Sequence, residues 1–422
     1  MSNPILALIP SGYQGGSTPK VYSILPNDGS GDFTYDRNTP TDGTRVRKDG
    51  LIEQMGNDIP RLDWLNSNCP SLLLEPQRTN LAHYSEQTDN AYWNKTGLSV
   101  TANQTTSPDG TLSADKLQRT STSSSFVSKA FTKTASAVQN FTLSVFVKKG
   151  DSRHATLSLQ GDYPDRAYLQ YDFEQGTINA SIDFEDFTIL STKAENYNNG
   201  WVRLSLAVST DAHSSITVLI SPKNDVVTTA LSDSSDSCFM YVWGIQLEKD
   251  TYSTTYIKTE GGLSTRNADV CLNGGSADLF NVSELSLLID ATNFAPPLND
   301  FCYISLTDGQ SSPINMIRLT YEETRIIVTV YNSDNSELNY NITSVTANQR
   351  NKVLLTFNGN EAKVYFNGVL KNTSTGIALP SGLDSLSFSN RTENARNFEG
   401  KIHDVRVYDR VLTEAEAIKL TK

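Results

Sequence analysis

The residues best suited to chemistry are groupings of tyrosine, arginine and amide side chains in turns. Such a set can hold a sugar, because an aromatic ring takes the C–H face of a pyranose while planar polar groups take its hydroxyls. Three stretches offer it. "QGDYPDRAYLQYD" places Tyr163, Asp165, Arg166 and Tyr168 in or beside a loop between two strands, "RLTYEETR" supplies Arg318, Tyr321 and Arg325, and "SNRTEN" supplies Asn390 and Arg391. Binding residues concentrate on loops, so glycan contact is expected there; the competing reading of each cluster is an ordinary exposed turn.

Other chemistries find less support. In "SIDFEDF", Asp183 and Glu185 would share one face of a strand, the arrangement of a glycosidase pair. Catalytic carboxylates also need a cleft and shifted pKa values, and a solvated edge is the plainer expectation. The histidines, His83, His154, His213 and His403, sit in unrelated contexts, and no G-x-S-x-G elbow occurs. No catalytic residue is assigned and no enzymatic activity is expected. Cys69, Cys238, Cys271 and Cys302 form no C-x-x-C pair, which argues against zinc and against a disulfide framework. No cofactor is expected. Oxygen-rich loops around Asp278 and Asp308 leave a structural calcium open, although Asp-Gly is first of all a turn signal.

These candidates need a scaffold, and the composition points to β-structure. Of 422 residues, 37% are hydrophobic and 19% charged, and short alternating stretches are separated by Ser, Thr, Asn and Gly. The formal net charge of -12, without a basic run, excludes the electrostatic footprint of a nucleic-acid or anionic-membrane binder. The start, "MSNPILALIPSGYQGG", lacks a basic region followed by a sustained apolar stretch, so neither a signal peptide nor membrane insertion is expected. The scattered cysteines suit assembly in a reducing cytoplasm.

Three segments follow. Residues 1–80 carry many turn signals and only short apolar runs, which predicts an extended segment without its own core. Residues 81–262 alternate with period two; in "FTLSVFVK", Phe141, Leu143, Val145 and Val147 face one way, as a half-buried strand requires. Residues 263–422 repeat the behaviour. Asn358-Gly359 and Asn367-Gly368 predict two tight hairpins around "NEAKVYF", and "LTEAEAIKL" predicts a helix capped by Thr413 and Glu416. Trp201 and Trp243 lie in alternating strands and read as core, whereas Trp64 and Trp93 flank the opening of the first sandwich. The expected fold is all-β: two tandem antiparallel sandwiches after an extended segment. At the junction, "CPSLLLEPQRTN" reads as a seam, with Leu72, Leu73 and Leu74 as a short buried strand and Glu75 and Arg78 as an ion pair fastening segment to module.

Three resemblances add to this. "FNGNEAKVYFNGVL" with "FEGKIHDVRVYDRVLTEAEAIKL" resembles the laminin G-like, or concanavalin A-like, lectin and glucanase fold through Phe398, Gly400, Ile402, Asp404, Val405, Arg406, Val407 and Tyr408. "NAYWNKTG", "NNGWVRLSLAV" and "YVWGIQLEKDTYSTTYIKTEGG" are similar to jelly-roll carbohydrate-binding modules of phage virion proteins. The stretch from "DGSGDFTYDRNTPTDGT" to "CPSLLLEPQRTNLAHYSE" resembles the entry segment of tailed-phage structural proteins. The resemblances imply a virion protein, assembled in the bacterial cytoplasm, of the fibre, spike or head-decoration type. Its implied partners are other virion proteins and host-surface polysaccharide, and its implied form is a homo-oligomer with a trimer favoured. The alternatives are a purely architectural virion protein and a polysaccharide depolymerase.

Overall fold

The computed structural model describes residues 3–10, 20–37, 43–134, 137–210, 214–294, 301–312, 314–343, 345–390 and 396–422. Among them the chain is all-β apart from short helices. It divides into two compact units, each assembled from separated stretches: residues 1–40, 56–77 and 267–422 form one, and residues 41–55 and 78–266 the other.

In the unit that holds the carboxy terminus, an eight-stranded antiparallel sheet runs in the order Val369–Thr375, Glu361–Phe366, Arg350–Phe357, Leu285–Asn293, Gly400–Tyr408, Ser71–Leu74 and Arg61–Asp63; Leu6–Leu8 also pairs with Gly400–Tyr408. A five-stranded sheet runs Asn335–Thr343, Arg325–Asn332, Met316–Tyr321, Cys302–Thr307, Ser385–Ser387. The side chains of Leu287, Ile289, Val353 and Val405 from the first and Ile304, Leu319, Val328 and Val330 from the second share one core. Period-two alternation produces this directly, since every second side chain of each strand points inward. Leu6, Leu8, Leu62, Leu72 and Leu74 belong to the same core.

The expectation of an extended, core-less amino-terminal segment is therefore corrected for its described residues. Runs as short as "LAL" and "SLLL" cannot enclose a core of their own, but as added strands each fully buried leucine gains about 1.5–3 kcal/mol from the core it joins. A buried charge network accompanies these strands: Arg61 pairs with Glu75 at 2.6 Å and with Asp269, Arg37 lies 3.6 Å from Asp269, and the Tyr35 hydroxyl donates to Asp269. The two members of the expected Glu75–Arg78 pair are each held by another partner. Glu75 is engaged by Arg61, whereas Arg78 belongs to the other unit and pairs there with Asp250.

Two local expectations are refined. Asn367 and Gly368 have φ of 45° and 82°, as a type I′ hairpin requires; the first Asn-Gly step has a positive φ only at Gly359 and sits in a longer loop between Phe357 and Ala362. The terminal helix, Glu414–Thr421, carries the capping box of Thr413 and Glu416. Gly400, at φ 154°, lies where an added Cβ would fall 2.1 Å from the Thr292 carbonyl, which explains the glycine in "FEGKIHDV".

The second unit is a sandwich of two six-stranded antiparallel sheets. One runs Leu98–Thr106, Leu112–Arg119, Phe239–Glu248, Gln139–Lys149, Trp201–Thr210, Thr188–Asn196; the other runs Thr177–Phe184, Arg166–Asp172, His154–Gln160, Ser215–Lys223, Phe126–Thr132, Asn94–Thr96. Phe141, Leu143, Val145 and Val147 face the core, as their spacing predicts. Trp93, Trp201 and Trp243 are each 1% exposed, and the indole N–H groups of the latter two donate to the Thr106 carbonyl and the Ser113 hydroxyl.

Candidate functional site

The outward face of the five-stranded sheet gathers the strongest set of binding groups. Registered pairing lines up three rows across four strands: Tyr303, Thr320, Ile327, Asn341; Ser305, Arg318, Thr329, Asn339; and Thr307, Met316, Tyr331, Ser336. Their strand neighbours Ile304, Leu319 and Val328 point into the core, so alternation sends these residues outward. Arg318 sits between two rings, 4.6 Å from the centroid of Tyr303 and 5.5 Å from that of Tyr331, distances at which a guanidinium is held by the ring faces. Its Nη1 donates to Asn390 Oδ1 and its Nη2 to Tyr331 Oη, both at 3.5 Å, the far limit of hydrogen bonding. Its Nε–H is enclosed and has no acceptor among the described residues.

Arg396 extends the group. Its guanidinium lies 3.9 Å from the Phe301 ring centroid, its carbonyl accepts from the Tyr303 N–H, and its φ is 54°, a conformation uncommon for a side chain of this kind. Burial raises the pKa of the Tyr303 hydroxyl, and the charges of Arg318 and Arg396 oppose that shift. Tyr303, Tyr331 and Arg396 escaped sequence reasoning. Tyr303 and Tyr331 reside in strands that read as core, and only cross-strand register places their rings beside Arg318.

The sequence-predicted residues divide as follows. Arg318 and Asn390 come together. Tyr321 does not join them: its ring is 1% exposed and packs on Phe398 at 5.0 Å in the core, because it is three positions along a strand from Arg318 and faces the other way. Arg325 is paired with Glu322 at 2.6 Å. Arg391 and His213 lie outside the described residues.

Tyr163, Asp165, Arg166 and Tyr168 also come together, in the second unit, but mostly under cover. Tyr163 is 87% exposed, whereas Tyr168 is buried at 2%. Arg166 lies 4.9 Å from the Tyr163 centroid and 4.2 Å from that of Phe184, and donates to the carbonyls of Pro164 at 2.7 Å and Thr229 at 3.1 Å. Asp165 Oδ1 accepts the Asp186 N–H. The segment from Asp225 to Asp233 lies across this face: Gln170 donates to the Asp225 carbonyl and accepts the Val227 N–H, Tyr168 donates to the Thr229 carbonyl, and Val227 and Leu231 pack on Tyr168 and Leu219. The face that should have met a ligand is occupied by its own chain.

The remaining chemistries are not assembled. Glu185 lies beyond the strand Thr177–Phe184 at φ 53°, so it does not share a strand face with Asp183, whose Oδ2 accepts the Ile189 N–H. Both oxygens of Asp308 are engaged within its own loop, by the Gln310 N–H and the Asn315 amide, and Asp278 sits in the first turn of the short helix Ala277–Phe280. Among the described residues no three His, Cys, Asp or Glu side chains gather as a metal site.

Comparison with known proteins bears on the first of these faces. Residues 299–417 match the family model of the concanavalin A-like lectin/glucanases superfamily. No curated protein matches the chain. Among solved structures, the CBM40 module of Ruminococcus gnavus IT-sialidase is similar at 18% identity over 36% of this chain and 94% of that one, with a TM-score of 0.30. A SAP-like pentraxin of Limulus polyphemus is similar at 14% identity over 33% and 70%, with a TM-score of 0.27. The strands that carry Tyr303, Arg318 and Tyr331 thus lie within the stretch that matches the concanavalin A-like lectin/glucanase family model.

Proposed function

We propose that the protein is a non-catalytic structural protein of a tailed-bacteriophage virion that displays its lectin-like unit for contact with host-surface glycan. The glycan-binding part rests on one observation above the others: Arg318 held between Tyr303 and Tyr331, beside Asn390, on the outward face of a lectin-type sheet. Rings supply faces for sugar C–H groups, and the arginine and amide supply fixed donors for oxygen. The virion location, in a fibre, spike or head decoration, is supported by the sequence resemblances of residues 1–80 and 81–262. An oligomer, with a trimer favoured, fits a weak site that gains avidity by repetition.

Retention of the purified full chain on an array of bacterial surface polysaccharides, together with antibody labelling of intact virions, tests both halves. Labelled particles without retention on any glycan would favour the architectural role. Release of reducing ends from a bound polysaccharide would require a depolymerase instead.

A further inference from the structure

We infer that Asn358 is a site of self-modification, where the amide nitrogen of Gly359 attacks the Asn358 side chain and converts it to aspartate and isoaspartate with loss of ammonia; the inference is independent of the glycan reading. Four Asn-Gly steps occur in the chain: Asn199-Gly200, Asn273-Gly274, Asn358-Gly359 and Asn367-Gly368. Glycine favours the attack because no Cβ shields its nitrogen and its backbone turns freely. All four asparagines are exposed, so access to water does not distinguish them. What distinguishes them is how each is held.

Ring closure needs two freedoms. The side-chain carbon must swing onto the following nitrogen, and that nitrogen must give up its proton, which an N–H already donating to an acceptor resists. The planar five-membered ring also fixes ψ far from the left-handed well. Asn367 has φ 45°, its Oδ1 accepts the Lys352 N–H at 2.8 Å, its Nδ2 donates to Asn351 Oδ1 at 3.1 Å, and the Gly368 N–H donates to Thr421 Oγ1 at 3.1 Å. Asn273 has φ 59°, and the Gly274 N–H donates to the Leu386 carbonyl at 2.8 Å. Asn199 lies at φ 60° and ψ 30° inside the short turn Asn198–Gly200. Asn358 stays outside the left-handed region. Its Oδ1 accepts a long bond from the Asn360 N–H at 3.4 Å, while its Nδ2 and the Gly359 N–H have no acceptor among the described residues. The space around Gly359 is open, since a Cβ added there would meet nothing within 4 Å.

The step balances with water as the co-reactant. Hydroxide takes the Gly359 N–H proton, the nitrogen bonds to Asn358 Cγ, the Cγ–Nδ2 bond breaks, and ammonia leaves with a proton from water. Water then opens the ring at Cγ to give aspartate, or at the main-chain carbonyl to give isoaspartate, so one water is consumed for each ammonia released. Either product places a carboxylate where a neutral amide stood, and isoaspartate adds a main-chain methylene to the loop between Phe357 and Glu361.

Peptide mass spectrometry of the full chain, sampled during incubation in mildly alkaline buffer, follows all four steps together. Asn358 should convert about ten-fold or more faster than Asn367 and Asn273, with isoaspartate among its products. Its rate should rise with pH, because hydroxide supplies the base. In denaturant, where each step is a bare Asn-Gly pair, the four rates should draw together. Thr421→Val, which removes the acceptor of the Gly368 N–H, should speed Asn367 and leave Asn358 unchanged; should that variant fail to fold, the denaturant comparison decides. Native conversion of Asn358 no faster than that of Asn367 would overturn the inference, as would an order of rates that persists in denaturant. Aspartate formed without isoaspartate would also overturn it, because direct hydrolysis would then replace attack by Gly359.

Discussion

The two sandwiches each carry an arginine among aromatic rings on an outward sheet face, and they use it in opposite ways. Arg166, between Tyr163 and Phe184, donates to the carbonyls of Pro164 and Thr229. Arg318, between Tyr303 and Tyr331, meets two neutral acceptors at 3.5 Å among the described residues. The difference lies in a covering segment. Residues Asp225 to Asp233 supply the six-stranded face with carbonyls and with the side chains of Val227 and Leu231, so the arginine there is spent on holding its own chain. The same residue types thus make a clamp in one unit and the proposed glycan contact in the other, and the difference between them is how much of their hydrogen-bonding capacity is already used.

The sharpest way to break this comparison is Arg166→Ala. Loss of a guanidinium 5% exposed, with two carbonyls left behind, should cost roughly 2–4 kcal/mol of stability and leave glycan binding unchanged. Denaturant unfolding alongside titration measures both, and a loss of binding with stability intact would reverse the assignment of clamp and receptor. A smaller loss, about 1–3 kcal/mol, is expected for Gln170→Ala, since Gln170 is fully buried and ties the covering segment through both its oxygen and its nitrogen. Hydrogen exchange should report faster exchange at the Val227 amide, and unchanged protection would show that the segment is held by packing alone.

The smallest effect is one of pH. Burial holds His154 below its ordinary value of 6.5, with Asp172 opposing the shift. Because the folded pKa is the lower one, this histidine contributes stability that is present above pH 6.5 and lost as the pH falls through the folded value. The unit that contains His154 should therefore melt at a lower temperature at pH 5 than at pH 7.5, and His154→Gln should reduce that difference.

Much of the architecture was legible in advance because it depends on local rules. Alternation placed Phe141, Leu143, Val145 and Val147 in a core, Asn367-Gly368 in a tight turn, and Thr413 with Glu416 at a helix start. The first 77 residues were legible only in part. Leu72 to Leu74 read as a short buried strand and are one, but that Ser71–Leu74 and Leu6–Leu8 would both pair with Gly400–Tyr408, more than three hundred positions away, had no local sign. The candidate site was half legible: Arg318 and Asn390 stood out as polar groups near turns, whereas Tyr303 and Tyr331 looked like any strand aromatics, and Tyr321 pointed into the core.

The sequence by itself determined the β class, the spacing of inward and outward side chains, and the stock of arginines, tyrosines and amides, because each follows from residue type and a period of two. The tertiary structure alone decided which strands lie side by side, and with them which rings meet Arg318 and which carbonyls Arg166 holds. Register joins residues distant in sequence, and the segment from Asp225 to Asp233 covers the face of Arg166; neither leaves a periodic trace in the chain.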